Sequence, residues 1–348
     1  MTQARSLPRA PEPLPEGNVV IGLNAAIVSV SGDEPRVLTV RRVHHALAVD
    51  GGTSDAAGHV GAEGPDALPF GPFEPTRHRT LDSGLRQWVG EQTDLELGYV
   101  EQLYTFGDRG RDPREREGGP RVVSVGYLAL VREARLAGAG ESFWHDWYRY
   151  FPWEDWRQGR PALLDRTIRP LLDLWAKGAT GMSERRERAL RIATAFGFGG
   201  AAWSDERVLD RYELLYQSAL VAEAPRDQGE PVREDMPALG TAMLFDHRRI
   251  LATAMGRLRG KIKYRPVVFE LMPPSFTLLQ LQRTVEALAG QRLHKQNFRR
   301  LVEQTGLVER TGLRESRTGG RPAEQFRFRR EVLLERPAPG VRLPGRRR

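Results

Sequence analysis

Between Asp246 and Phe328 the chain carries three segments of helical apolar spacing and two short β-like runs, and this order limits the fold more than any other stretch. Ile250, Ala254, Leu258 and Ile262 follow one another at intervals of four, which puts an apolar stripe on one helix face. Asp246 stands where a side-chain oxygen would cap that helix. Val267–Leu271 is an apolar run after Pro266, read as a short strand that Pro273-Pro274 breaks. Ser275 or Thr277 caps a second helix whose inward positions are Leu278, Leu281, Val285 and Leu288, and Gly290 ends it. A third helix runs from about His294 to Gln304 with Phe298, Leu301 and Val302 inward, and Gly306 closes it. Val308–Thr311 and Gln325–Phe328 are two strands, and the loop between them holds Arg314, Arg317, Gly319, Gly320 and Arg321.

Helix–turn–helix followed by a basic hairpin is the order of a winged helix. The charge agrees. From Asp246 onward there are 24 Lys/Arg and 9 Asp/Glu, a balance of +15, whereas the whole chain is +8. The first 245 residues therefore sum to −7. A basic module joined to an acidic one fits a DNA reader attached to a sensor, because phosphate backbones draw most of their affinity from positive charge. The third helix would enter the major groove, where Arg pairs with guanine and Asn or Gln with adenine. Thr277, Lys295, Gln296, Asn297, Arg299 and Arg300, with Arg317, Gly320 and Arg321 from the hairpin, are the candidate DNA-contacting residues. The competing reading is a solvated helix surface. Arg346-Arg347-Arg348 adds charge as a mobile tail.

The acidic half opens with Asn18–Val30, rich in β-branched and small apolar residues and read as a buried strand, followed by a second strand at Val37–Val40. Residues 44–69 are Gly/Asp-rich and read as an insertion or loop. Leu81, Leu85, Trp88 and Val89 share one helical face, and Leu97–Phe106 and Arg121–Val131 follow as strands.

The stretch DHRRILATAMGRLRGKIKYRPVVFELMPPSFTLLQLQRTVEALAGQRLHKQNFRRLVEQTGLVERTG…GGRPAEQFRF resembles the winged-helix domain of Nudix-related transcriptional regulators, the NrtR group and the similar NadQ regulators of NAD metabolism. FTLLQLQ, KQNFRR and GGRPAEQFRF carry the likeness over roughly residues 241–330. It implies a homodimeric repressor of NAD biosynthesis or salvage genes that binds an operator in double-stranded DNA and joins this module to a Nudix-like effector domain. The strand, strand, glycine turn, helix, strand order of the acidic half fits such a domain. The family's box, G-x5-E-x7-R-E-U-x-E-E-x-G-U, uses helix glutamates to hold divalent ions. Here the fit is poor in both registers. With Glu91 first in the E-E pair, the second is Gln92, the R-E pair is Gln87-Trp88 and the upstream Glu is Arg79. With Arg86 as the box arginine, its neighbour is Gln87, the pair is Gly90-Glu91 and the upstream Glu is His78. At most one helix carboxylate survives, too few for a hard cation, so no metal, no catalytic residue and no cofactor is assigned.

The resemblance further implies a nucleotide effector, ADP-ribose, NAD or ATP. Its candidate ligands are Arg41 and Arg42 at a strand end, Gly71, and Phe106, Asp108, Arg109 and Arg111 in a glycine-bearing loop suited to phosphate or ribose. The plainer alternatives are exposed charge for the arginines, a charged surface loop for the latter segment, and core packing for Phe106 and Tyr127.

Trp144, Trp147, Tyr148, Tyr150, Phe151, Trp153 and Trp156 crowd together and read as core or interface packing. Ala162–Trp175 is a helix bent or broken at Pro170, residues 177–183 a linker, and Glu184–Ala195 and Arg207–Val221 two helices interrupted by Phe196–Gly200. Residues 225–236 read as a loop. The expected fold class is α+β: a disordered arm at 1–17, a Nudix-like α/β/α sandwich at 18–176, a helical connector at 184–224 that packs between domains and can form a dimer interface, a winged helix-turn-helix at 241–332 and a basic tail at 333–348. Zero cysteines excludes disulfides and thiolate chemistry. With no signal peptide and no long apolar span, the expected place is the cytoplasm, at the nucleoid, with no membrane partner. Two alternatives to a nucleotide-modulated repressor stand beside it. One is an active Nudix hydrolase of ADP-ribose-type substrates, with metal ligands such as Glu74, Asp82 or Glu101; the other is a nucleotide-insensitive architectural DNA binder.

Overall fold

A computed structural model describes residues 19–41, 65–108, 115, 118–132, 142–315 and 322–335. The expected amino-terminal arm, most of the expected 44–69 loop, Arg42, Arg109, Arg111, Arg317, Gly320, Arg321 and the carboxy-terminal part of the basic tail lie outside these residues.

A mixed sheet forms the first half. Its strands are β1 (Val19–Ser31), β2 (Glu34–Val40), β3 (Phe70–Pro72), β4 (Tyr99–Phe106), β5 (Arg121–Leu130) and β6 (Ser142–Asp146). The order is β4-β5-β1-β2-β6, with β3 on β1. The β1–β5 pair is parallel, and every other pair is antiparallel. Alternation along β1 sends Leu23, Ala25 and Ile27 to one face and Ala26 and Val28 to the other, and all five are fully buried. Both faces are therefore covered.

Helix α1 (Leu81–Thr93) covers the first face through Leu85, Trp88 and Val89. Thr80 and Ser83 form a reciprocal capping box at its start. Trp88 lies so close to β3 that a Cβ on Gly71 would fall 2.3 Å from the indole. The indole N–H donates to the Pro72 carbonyl at 2.8 Å.

The aromatic run covers the second face. Trp147, Tyr150, Phe151 and Trp153 are completely buried in and between two short 3-10 turns, Trp147–Arg149 and Pro152–Glu154. They are core residues. The helix expected around Pro170 is continuous but changes pitch: a π turn, Leu164–Ile168, precedes α2 (Arg169–Lys177). Proline has no N–H to donate and its ring crowds the preceding turn, which the wider turn accommodates. Helices α3 (Met182–Phe196) and α4 (Val208–Gln217) follow. A short α5 (Glu223–Asp227) overlaps the start of the expected 225–236 loop. The expected 44–69 loop is also more ordered at its end than its composition implied. Ala67 bridges Val40, Asp66 bridges Met243, and Asp66, Ala67 and Leu68 are buried.

Helix α6 (His247–Tyr264) buries the whole stripe of Ile250, Ala254, Leu258 and Ile262. Its start departs from expectation. Asp246 makes no side-chain cap hydrogen bond, and the chain enters through Phe245 at φ 48°. The helix packs against β1, β4 and β5 as well as against α4 and α7, so α6 is also a layer of the sheet domain. Gly126 on β5 makes room for it: a Cβ there would lie 3.1 Å from Ile250 Cγ2.

Val267–Leu271 is a 3-10 turn rather than a strand. The run has buried side chains in succession and no sheet pairing, so apolar content alone could not assign it. Strand β7 (Phe276–Thr277) then leads into α7 (Leu278–Ala289), α8 (Lys295–Thr305), β8 (Val308–Glu315) and β9 (Ala323–Phe328), with a last turn α9 (Val332–Glu335). The small antiparallel sheet has the order β7-β9-β8. Thr277 and Gln280 form the capping box of α7, and Gly290 ends that helix at φ 65°.

A buried ion cluster joins the parts. Glu154 is fully buried and takes both Arg211 from α4, at 2.5 and 2.9 Å, and Arg259 from α6, at 2.6 Å. Arg259 also donates to the Leu288 carbonyl of α7 at 3.0 Å. Replacing Glu154 with Ala would strand two buried guanidinium groups. Its expected cost is about 3–5 kcal/mol, measured as a lowered urea midpoint at unchanged slope.

Candidate nucleic-acid interface and nucleotide site

Helix α8 has two distinct faces. Phe298 and Val302 are 2% and 0% exposed, on a helix that packs against α7. Lys295, Gln296, Asn297, Arg299 and Arg300 are all exposed. No described residue pairs with these five side chains, although ion pairs are common elsewhere in the chain. Five polar or cationic groups over an apolar anchor match what a groove-reading helix requires. Thr277 takes a different position. It is buried, and its hydroxyl accepts from the Gln280 N–H at 3.2 Å, so its side chain serves the start of α7. On the hairpin, Arg314 is exposed, while Arg310 and Arg327 face Glu324 at 3.5 Å and Glu309 at 2.6 Å.

The candidate effector residues separate. Gly71 lies under Trp88, and Phe106 is 4% exposed and touches the Gly126 backbone position, so both are packing residues. Tyr127 is likewise in the core. Asp108 is exposed at the end of β4. Arg41 stands at the end of β2, stacked 4.6 Å over the Phe143 ring.

Arg41 belongs to a group that the sequence reading did not assemble. Its Nε lies 3.6 Å from the Asp66 carboxylate, as does His145 Nε2, and Arg149 Nη2 lies 3.6 Å from the other oxygen. The Tyr150 hydroxyl donates to that second oxygen at 2.7 Å. Arg149 also donates to His145 Nδ1 at 3.1 Å and to the Thr241 hydroxyl at 3.1 Å. Burial by itself would raise the Asp66 pKa. The adjoining His145 and Tyr150 side chains, with the Arg149 charge, outweigh it and bring the carboxyl down to about 2. Asp66 sits in what composition read as a loop, and His145 and Arg149 are hidden in the aromatic run. The four-residue spacing of His145 and Arg149 was the one signal in the sequence.

The surviving box carboxylate, Glu91, accepts from Gln87 at 2.7 Å and faces Arg77 at 3.5 Å. Glu74 pairs with Arg77, Asp82 with Arg86, and Glu101 with Lys261 and Arg257. Among the described residues no three His, Asp or Glu side chains form a metal-holding group. No helix among them is long and apolar enough to cross a membrane.

A mixed sheet is followed by a run of helices and then by helices α7 and α8 with a small antiparallel sheet, the order of a winged helix. Residues 268–328 match the NrtR DNA-binding winged helix domain. A 91-residue stretch, 26% of the chain, is 41% identical to the ADPR responsive transcriptional repressor NtrR of Acinetobacter baylyi and spans 36% of that relative's length. Shewanella oneidensis NrtR complexed with a 27mer DNA has the same fold, with a TM-score of 0.50 at 21% identity over 90% of this chain and 95% of that one. A second crystal structure of Shewanella oneidensis NrtR gives 0.49 at the same identity and coverage.

Asp66 yields a pH prediction. Its depressed pKa contributes stability that is complete above its unfolded value of 3.8 and is lost as pH falls toward 2. The unfolding free energy of wild type relative to Asp66→Asn should shrink by about 2 kcal/mol across that window, read from denaturant melts at stepped pH.

Proposed function

We propose that this protein is a sequence-specific transcriptional repressor of NAD biosynthesis or salvage genes, whose DNA affinity is set by a nucleotide bound to the Nudix-like domain. The observation that carries the reading is the outward face of α8, with Lys295, Gln296, Asn297, Arg299 and Arg300 exposed within the segment that matches the NrtR DNA-binding winged helix domain. Arg314, exposed on the hairpin, contacts phosphate or the minor groove. The protein acts as a homodimer on a near-palindromic operator in the cytoplasm, because a paired winged helix reads two half-sites. ADP-ribose is the preferred effector over NAD and ATP, since the Acinetobacter relative is described as ADPR responsive.

The Nudix-like domain binds without hydrolysing. Glu91 is the one box carboxylate on α1 in either register, and Glu74, Asp82 and Glu101 are each committed to a cation. A nucleotide that favours the DNA-free form must lower operator affinity, and DNA must lower nucleotide affinity by the same factor.

A gel-shift titration on the protein's own upstream region and on NAD-biosynthesis promoters, at fixed salt, tests this reading. ADP-ribose is expected to weaken a discrete shift. Equal shifts on every DNA, unmoved by nucleotide, would instead mark an architectural binder. Arg299→Ala and Arg300→Ala should each cost about 1–3 kcal/mol of operator affinity, roughly 5- to 150-fold, with the oligomeric state unchanged. ADP-ribose incubated with magnesium or manganese should stay intact; turnover abolished by Glu91→Gln would make the protein an enzyme.

A further inference from the structure

We infer that Glu286 is a positioning residue for the reading helix: with Gln282 it clasps the turn from which α8 departs, so that base contacts, rather than DNA attraction as such, depend on it. This rests on the sequence-specific DNA reading above and deepens it by naming what aims the helix.

Helix α8 does not fix its own start. His294, at its N-cap position, makes no side-chain cap hydrogen bond, whereas α7 opens on the box of Thr277 and Gln280. Lys295, Gln296 and Asn297 in the first turn are exposed. The buried side chains, Phe298 and Val302, lie farther along. Apolar contact is non-directional, so these two hold α8 near the core and leave its entry angle open.

Helix α7 supplies the missing direction. Glu286 Oε1 accepts from the Leu293 N–H at 2.8 Å, and Gln282 Nε2 donates to the Leu293 carbonyl at 2.9 Å. Leu293 immediately precedes the N-cap, and both its backbone groups are held by side chains one helical turn apart on α7. Gln282 Nε2 also donates to Glu286 Oε1 at 2.9 Å, which fixes the two side chains to each other. Glu286 Oε2 accepts from Arg292 Nη1 at 2.9 Å, a second residue of the same turn. The start of the turn is held from the other side, where the Trp156 N–H donates to the Gly290 carbonyl at 2.8 Å.

Burial marks the clasp as more than surface pairing. Glu286 and Gln282 are 4% and 7% exposed, on a helix that also buries Leu278, Leu281, Val285 and Leu288. A buried carboxylate and amide cost stability unless they are bonded, and apolar side chains in their place would add to the core. What the polar pair supplies instead is geometry.

The two kinds of DNA contact respond differently to that geometry. Base-edge hydrogen bonds weaken once donor and acceptor part beyond about 3.2 Å. Phosphate attraction falls slowly with distance and survives a tilt of the helix. Releasing the turn therefore lowers binding to the preferred sequence and leaves non-specific binding in place. A loss of folded protein lowers both by one factor and leaves their ratio unchanged.

The full chain is used to enrich a duplex from a randomised library. That duplex and a scrambled copy are then titrated by fluorescence anisotropy, at one salt concentration, with wild type, Glu286→Ala, Glu286→Gln and Gln282→Leu. Glu286→Ala is expected to lower the ratio of the two affinities about tenfold or more, with binding to the scrambled duplex unchanged. Glu286→Gln keeps an acceptor oxygen for Leu293 and gives up the ion pair with Arg292, so it is expected to restore most of the ratio. A full ratio in Glu286→Ala, or a ratio in Glu286→Gln as low as in Glu286→Ala, overturns the positioning role and leaves the sequence-specific reading standing. A wild-type chain that enriches no sequence removes that reading and the inference with it. Should Glu286→Ala give no cooperative melt, Gln282→Leu decides: it keeps the bulk and loses both bonds, and an undiminished ratio there overturns the role.

Discussion

One buried carboxylate fixes the relation between the parts. Glu154 carries its charge in a site with no solvent access, which burial disfavours, and two arginines hold its carboxyl below the usual range. Such a cluster is tolerated only when nearly every donor has an acceptor. That condition is met. Arg211 also donates to the Ala195 and Ser204 carbonyls, and Arg259 to those of Leu288 and Asp205. The acceptors lie on α3, on the segment between α3 and α4, and on α7, so satisfying one ion pair registers three units of the chain. Gly290 completes the seam. A Cβ there would come within 2.5 Å of the Glu154 carbonyl and 2.7 Å of the Tyr148 hydroxyl. The hydroxyl itself donates to the Ala287 carbonyl at 2.7 Å.

Helix α6 gives that registration its reach. Its 18 residues make a rod of roughly 27 Å. One stretch of it lies on Gly126 in the sheet, and Lys261 and Arg257 pair with Glu101 on β4. Arg248 and Arg259 lie on the same rod and bind Glu223 and Glu154. The sheet domain and the winged helix thus share a structural member. A change at the sheet end of the molecule has a continuous packed route to α7 and α8.

Local periodicity made much of this legible. Helices α1, α7 and α8 were readable because their apolar residues repeat at 3.6, with a capping threonine or a terminal glycine at the ends of α7 and α8, and β1 was readable from its run of β-branched and small apolar residues. Periodicity was silent where burial is all-round, which is why Val267–Leu271 passed for a strand. Composition misjudged Asp66–Leu68, the end of a Gly/Asp-rich stretch, held in part by contacts more than 170 positions away, as with Leu68 and His247. The exposed face of α8 could be listed from sequence because exposure is the complement of a clear apolar stripe. The Asp66 group could not, since its members come from β2, a bridge segment and the aromatic run, and only the sheet brings them together. Arg259 and Glu154, 105 residues apart, were invisible for the same reason.

Phe245 adds a last consequence. A bulky residue at φ 48° occupies backbone space that L side chains avoid, at a cost of roughly 1–2 kcal/mol. Its ring is wedged edge-on between Phe70 and His247, and Arg226 grips its carbonyl. The bend before α6 is therefore imposed from outside, like a bow held by its string. The angle at which the shared helix sets out belongs to the assembled protein and not to the helix's own sequence.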